Sequence, residues 1–187
     1  MLFSITLTLR QGVVPSVSLT NKIIPSVTNV KYLGLILDKR LTWAEHIKQK
    51  RLLLNSRRKC LYPLLSKHSK LNLKNKLLLY KTLLKPIWTY GIQLWGAAKK
   101  SNIYKMQTFQ SITLRTIVNA PFYVSNHTLH SDLGLQTVTD VALSSYKRYH
   151  SRLTNHPNPL ILALNSVNIP GNPPRRLKRR WCRDLIS

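Results

Sequence analysis

Apolar and polar positions alternate along the first forty or so residues, and the period then becomes helical. Leu2 to Leu9 alternates apolar side chains with Ser and Thr, Gly12 to Pro15 interrupts the pattern, and Val17 to Leu19 resumes it. This predicts short antiparallel strands, with Asn21 and Pro25 marking turns and KYLGLIL (Lys31–Leu37) forming one compact apolar strand. Two or three short strands are marginal alone, so something is expected to pack beside them.

From Thr42 the spacing suits helices. Thr42 and Glu45 have capping-box spacing and predict a helix running towards Tyr62, ended or kinked at Pro63. Ala44, Ile47, Arg51, Leu54, Leu61 and Leu65 mark its broken inner stripe. A second helix is expected after Asn72, carrying Leu73, Leu77, Tyr80, Leu84, Trp88 and Trp95, with bends at Pro86 and Gly91. Ser101 is expected to cap a third, through Ile103, Met106, Phe109, Gln110, Thr113 and Ile117. Thr137 and Asp140 are expected to cap a fourth, through Val141, Tyr146, Tyr149 and Leu153, stopped by His156 and Pro157. Leu160 to Leu164 has the pattern of one more turn, and beyond Asn165 the composition collapses to Pro, Gly, Asn and Arg, a tail. The fold class is therefore α+β, mainly α.

Charge changes this picture most. Thirty Lys and Arg stand against five Asp and Glu in 187 residues, a formal net charge of +25. Such self-repulsion opposes a compact state and calls for a polyanionic partner. With 43% hydrophobic residues there is still material for a real core. The basic residues form three groups: Lys48, Lys50, Arg51, Arg57, Arg58 and Lys59 on the first helix; Lys67, Lys70, Lys74, Lys76, Lys81 and Lys85 around the second; and Arg175, Arg176, Lys178, Arg179, Arg180 and Arg183 in the tail. Solvated helix faces usually mix signs, and almost no acid is present to mix, so a nucleic-acid groove is the stronger reading. The tail reads equally as a nuclear-localisation patch.

Catalytic chemistry finds little material. The carboxylates are Asp38, Glu45, Asp132, Asp140 and Asp184, with no cluster suited to a two-metal centre. His127 and His130, or His150 and His156, have no Cys nearby and read as polar loop and surface residues rather than zinc ligands. There is no Gly-x-Ser-x-Gly and no Gly-rich phosphate loop, and Cys60 sits in an apolar helical stretch. Tyr80, Trp88, Tyr90 and Trp95 could stack on bases, although helical spacing favours core packing for Tyr80, Leu84, Trp88 and Trp95. The most apolar segment, Leu77 to Ala98, is broken by Lys81, Lys85 and Pro86, so no membrane partner is expected. Two distant cysteines, Cys60 and Cys182, and a start unlike a secretory signal suggest an intracellular setting, nucleus or cytoplasm. On residues alone this is a binding module.

The string VKYLGLILDKRLTWAEHI (Val30–Ile47) resembles the end of the reverse-transcriptase domain of non-LTR retrotransposons, where palm passes to thumb. YPLLSKHSKLNLKNKLLLYKTLLKPIWTYGIQLWG (Tyr62–Gly96) and NAPFYVSNHTLHSDLGL (Asn119–Leu135) continue the likeness. So do YKRYHSRLTNHPNPL (Tyr146–Leu160) and RRLKRRWCRDL (Arg175–Leu185), and the ordered succession is similar to the jockey group of mobile elements. The resemblance implies a palm remnant over residues 1–40, a helical thumb over 41–120, a helical extension over 121–165 and a basic tail over 166–187.

It also implies RNA-directed DNA polymerisation as the parent activity, with RNA and DNA as partners in a template-primer duplex and with the upstream palm and fingers alongside. Such polymerases hold magnesium with an early palm Asp and an Asp-Asp pair in a Tyr/Phe-Ala-Asp-Asp turn, both upstream of the matched blocks. No Asp-Asp pair occurs here, so no family catalytic residue carries over and no cofactor is expected in this chain. Asp38 matches a family position that is structural. What transfers is the thumb's backbone grip on a duplex, placed on Lys48–Lys59 and Lys67–Lys85. Lys31, Tyr32, Leu33 and Gly34 resemble the strand region near the primer end, where Gly34 either admits close backbone approach or marks a strand bulge. The alternative is a stand-alone, non-enzymatic nucleic-acid-binding protein derived from such an element.

Overall fold

The computed structural model describes residues 18–20, 22, 23, 25, 27–154 and 156–162. The strand expected over Leu2 to Leu9 and the whole basic tail, Arg175 to Arg183, lie outside them. Two antiparallel hairpins come first among the described residues: β1 (Ser18–Leu19) with β2 (Lys22–Ile23), then β3 (Asn29–Tyr32) with β4 (Leu35–Asp38). Helices follow: α1 (Ala44–Leu65), α2 (Leu73–Leu79), α3 (Lys85–Thr89), α4 (Ile92–Trp95), α5 (Lys100–Val118), α6 (Asn126–Asp132), α7 (Val138–Leu153) and the single turn α8 (Pro159–Leu162). The fold is α+β and mainly α, as the periodicity indicates.

KYLGLIL is not one strand. Tyr32 pairs with Leu35, leaving Leu33 (φ 45°) and Gly34 (φ 75°) as a two-residue turn. Positive φ at both central residues is the type I′ geometry, whose twist matches that of the flanking strands. Gly34 is therefore a turn residue and not a bulge.

The start of α1 also differs from its expected cap. Trp43, at the N-cap, is in the left-handed region and supplies no side-chain bond. Asp38 caps instead: one carboxylate oxygen accepts from the Thr42 amide and hydroxyl, the other from the Trp43 amide, each at 2.8 Å. Glu45 turns outward to Gln49 and Lys48. Pro63 does not end the helix, which closes at Leu65 with Ser66 N–H donating to the Tyr62 carbonyl.

Asn72 caps α2 through the Asn75 amide, as expected. A π turn at Tyr80–Leu84 then widens the helix, and Lys85 N–H reaches back to the Tyr80 carbonyl. It comes just before Pro86, whose ring cannot fit a regular turn. Gly91 (φ 66°) sets the second bend. At α5 the N-cap is Lys99, without a side-chain bond, so Ser101 is not the cap. Thr137 and Asp140 do form the capping box of α7. The short helix α6, capped by Ser125, had no apolar period to announce it.

One core joins the hairpin to the helices. Ile47, Leu54 and Leu65, spaced seven and eleven apart, are fully buried on α1, which packs along α5 through Met106, Phe109 and Leu114. Tyr80, Leu84, Trp88, Ile92 and Trp95 fill the space beside them, and Leu35 adds the hairpin. Each such aliphatic side chain contributes about 1.5–3 kcal/mol. The helix α4 rests on α7 so closely that a Cβ at Gly96 would fall 2.7 Å from that of Ala142. No described helix is long and apolar enough to cross a membrane.

Candidate nucleic-acid interface

The tip of the second hairpin is held by a side chain 57 positions further on. Tyr90 donates its hydroxyl to the Leu33 carbonyl at 2.7 Å, and its ring edge would lie 3.4 Å from a Cβ at Gly34. Glycine thus serves both the turn and the approach of the ring. The Tyr90 carbonyl in turn accepts from the Trp95 indole at 3.0 Å, which fixes the loop between α3 and α4.

Lys50 of α1 lies over the Tyr90 ring, 5.4 Å from its centroid. Burial and then the charge of Lys31 lower the Lys50 pKa, which brings the β3 ammonium into the same neighbourhood. Tyr32 and Leu33 are well exposed beside them. Two mutually repelling ammonium groups flank an exposed hairpin tip. Among the described residues neither ammonium is in an ion pair, Glu45 being taken by Lys48 and Asp38 by the α1 cap. An external anion placed there would relieve that repulsion.

The six basic residues of α1 do not share one face. At 3.6 residues per turn, Lys48 and Lys59 point to one flank of the buried stripe, Lys50 and Arg57 to the other, and Arg51 and Arg58 lie over the stripe itself. Arg51 donates to the Lys105 carbonyl and stacks over Phe109 at 5.3 Å, joining α1 to α5. Burial, followed by the Arg58 charge, lowers its pKa. Arg51 is thus engaged in holding the helices together, and Arg58 is half-buried next to it.

In the second group Lys67, Lys70, Lys74 and Lys81 are exposed and Lys85 is half-buried. Lys76 differs from these. It is 6% exposed, and its ammonium donates to the Ser66 carbonyl at 2.7 Å, serving the end of α1 rather than a phosphate. Arg175, Arg176, Lys178, Arg179 and Arg180 lie outside the described residues.

Histidines and acids have structural work. His130 is buried, with Nδ1 2.8 Å from the Leu135 carbonyl and Nε2 2.9 Å from Gln107, so it is not the surface residue its setting suggested. His46 accepts from the Ile36 amide at 3.3 Å between Trp43 and Trp95. Burial, with help from Lys50, lowers its pKa to about 4, leaving it neutral at neutral pH. Cys60 is exposed rather than packed. Among the described residues no three His, Cys, Asp or Glu side chains converge. Asp38 spends both oxygens on the α1 cap, Asp140 is spent on α7, and Glu45 faces Gln49 and Lys48. These donors do not fit a magnesium pair.

Asp38 yields a stability prediction. Burial pushes its carboxyl up, but the bonds from Thr42 and Trp43 outweigh it and hold the pKa below 3.8. Its stabilisation is therefore complete above the unfolded pKa and is lost as pH falls through the folded one. Asp38→Ala is expected to cost about 1–2 kcal/mol at pH 7. The Tm gap from the parent should narrow below about pH 4, and a gap independent of pH would refute the cap. His46, present in both proteins, cancels from that comparison.

Curated relatives match nearly the whole chain. A probable RNA-directed DNA polymerase from transposon X-element of Drosophila melanogaster is 42% identical over 184 residues, 98% of this chain and 20% of the relative. Its counterpart from transposon BS, in the same organism, is 38% identical over 175 residues, 94% of this chain and 19% of the relative. The RNA-directed DNA polymerase from mobile element jockey, also of D. melanogaster, is 34% identical over 178 residues, 95% of this chain and 19% of the relative.

Over nearly its whole length the chain is similar to part of the RNA-directed DNA polymerases of jockey-type mobile elements. No family model matches it, and no solved structure is significantly similar. The chain spans about a fifth of the length of the curated relatives it matches. Sequence reasoning missed Tyr90 as the latch on the hairpin. The signal was its departure from the stripe of Tyr80, Leu84, Trp88 and Trp95: Tyr90 is half-exposed where they are buried.

Proposed function

We propose that the chain is a C-terminal part of a jockey-type RNA-directed DNA polymerase that holds the template-primer duplex without performing the chemistry. The catalytic aspartates and their magnesium ions belong to the upstream palm, of which residues 1–40 are the last part. Residues 41–120 act as the thumb, 121–165 as its extension and 166–187 as a basic arm.

The observation that carries this reading is the meeting of Lys31, Gly34, Lys50 and Tyr90. The strand region expected near the primer end and a basic residue of the thumb helix occupy one latched spot. Phosphates bound there are positioned without their bases being read. The exposed Lys67, Lys70, Lys74 and Lys81 extend the positive surface along the chain.

The test is titration of the full chain with short RNA–DNA hybrids of unrelated sequence. Affinities should agree within about threefold, as expected for backbone contacts, and no nucleotide incorporation should accompany binding. Strong sequence preference, or nucleotide incorporation by the chain, would contradict the proposal.

A further inference from the structure

Phe122 and Tyr123 are 94% and 76% exposed, and they stand edge to face with ring centroids 5.7 Å apart. Two aromatic side chains rarely stand so open without a partner. Their loop is not loose. Arg115 donates to the Pro121 carbonyl at 2.9 Å, to the Val124 carbonyl and to Asn126 Oδ1 at 3.0 Å. Asn119 (φ 54°) closes α5 on one side, and Ser125 caps α6 on the other by accepting from Thr128 N–H at 3.0 Å. Between them Val124 N–H returns to the Pro121 carbonyl at 3.3 Å. The rings are thus presented on a pre-ordered turn, which lowers the ordering cost of binding.

The surroundings indicate what would cover them. Exposed Asn119, Ser125, Asn126 and His127 flank the pair. A shallow groove of about 120 Å³, lined by Tyr104, Thr108 and Arg115 among others, adjoins Asn126. The Ser125 hydroxyl and Asn126 Oδ1 are taken up within the loop, while the side chains of Asn119 and His127 stand exposed beside the rings. Thirty Lys and Arg against five Asp and Glu favour a polyanion as the occupant over another basic or neutral surface.

We infer that Phe122 and Tyr123 form a stacking platform for unpaired bases of a single-stranded nucleic acid, separate from the duplex-holding spot. The inference rests on the nucleic-acid-binding reading and adds a second site to it. Polar neighbours can meet base edges, and the rings accept any base because every base has a π face.

The test uses the full chain with a single-stranded oligonucleotide containing 2-aminopurine, and in parallel a blunt RNA–DNA hybrid. The parent should quench the probe. Phe122→Ala/Tyr123→Ala should weaken single-strand binding by roughly tenfold and leave hybrid affinity and Tm unchanged. Phe122→Leu/Tyr123→Leu, which keeps apolar area without a π face, should show the same loss.

Unchanged single-strand affinity in both variants would overturn the inference. So would recovery by the leucine pair, or an equal loss on the hybrid. Self-association lost while single-strand affinity is kept would assign the rings to a protein interface and also overturn it. Failure of the parent to bind the hybrid would count against the duplex reading itself.

Discussion

Trp95→Ala is expected to lower stability by about 3–5 kcal/mol, the usual cost of emptying a buried aromatic site. Native domains have only about 5–15 kcal/mol in total, so most of the margin would go. Trp95 is fully buried, stands 6.3 Å from His46, and donates its indole N–H to the Tyr90 carbonyl. Its loss opens the core and also frees the loop that latches the hairpin tip. Chemical denaturation should show a much lower midpoint, and any fall in nucleic-acid affinity should track the unfolded fraction. Reduced single-strand binding at unchanged stability would mean that Trp95 stacks on bases after all, contrary to its burial.

Lys31→Ala/Lys50→Ala is the counterpart on the binding side. If each lysine neutralises one phosphate, hybrid affinity at 0.1 M salt should fall about 60-fold, since each contact contributes a factor of about [salt] to the power −0.9. Stability should change little, because relief of the repulsion between the two charges offsets the lost contact of Lys50 with the Tyr90 ring. Lys76→Ala should behave in the opposite way, with stability reduced through the lost bond to Ser66 and hybrid affinity little changed. The contrast separates charge that faces a ligand from charge that serves the fold.

Much of this fold can be read from spacing. The stripe Ile47, Leu54 and Leu65, the Asn72 cap, the breaks at Pro86 and Gly91, and the Thr137–Asp140 box are local patterns whose physics lies within a few residues of chain. The failures are of one kind. Thr42 and Glu45 satisfy capping-box spacing, yet the nearby carboxylate of Asp38 reaches the same amides from the end of β4. Leu33 and Gly34 do not announce a turn, because Leu33 is an unusual residue for positive φ and the surrounding run is uniformly apolar.

The candidate site was half legible. Basic composition identified Lys50 and the family resemblance Lys31, but only the fold brings them to one place, because the link runs through Tyr90, distant in sequence. Composition also overcounted. Lys76 and Arg51 look identical to their neighbours in a charge tally, while their burial and hydrogen bonds commit them to the helices.

The central claim is that the hairpin tip and α1 together hold the phosphate backbone of a duplex. The most direct measurement is the salt dependence of affinity for a short RNA–DNA hybrid, taken side by side on the parent chain and on Lys31→Ala/Lys50→Ala. The slope of log affinity against log salt should be steep for the parent and shallower by about 1.8 for the variant, at equal Tm. Identical slopes in the two proteins would contradict it.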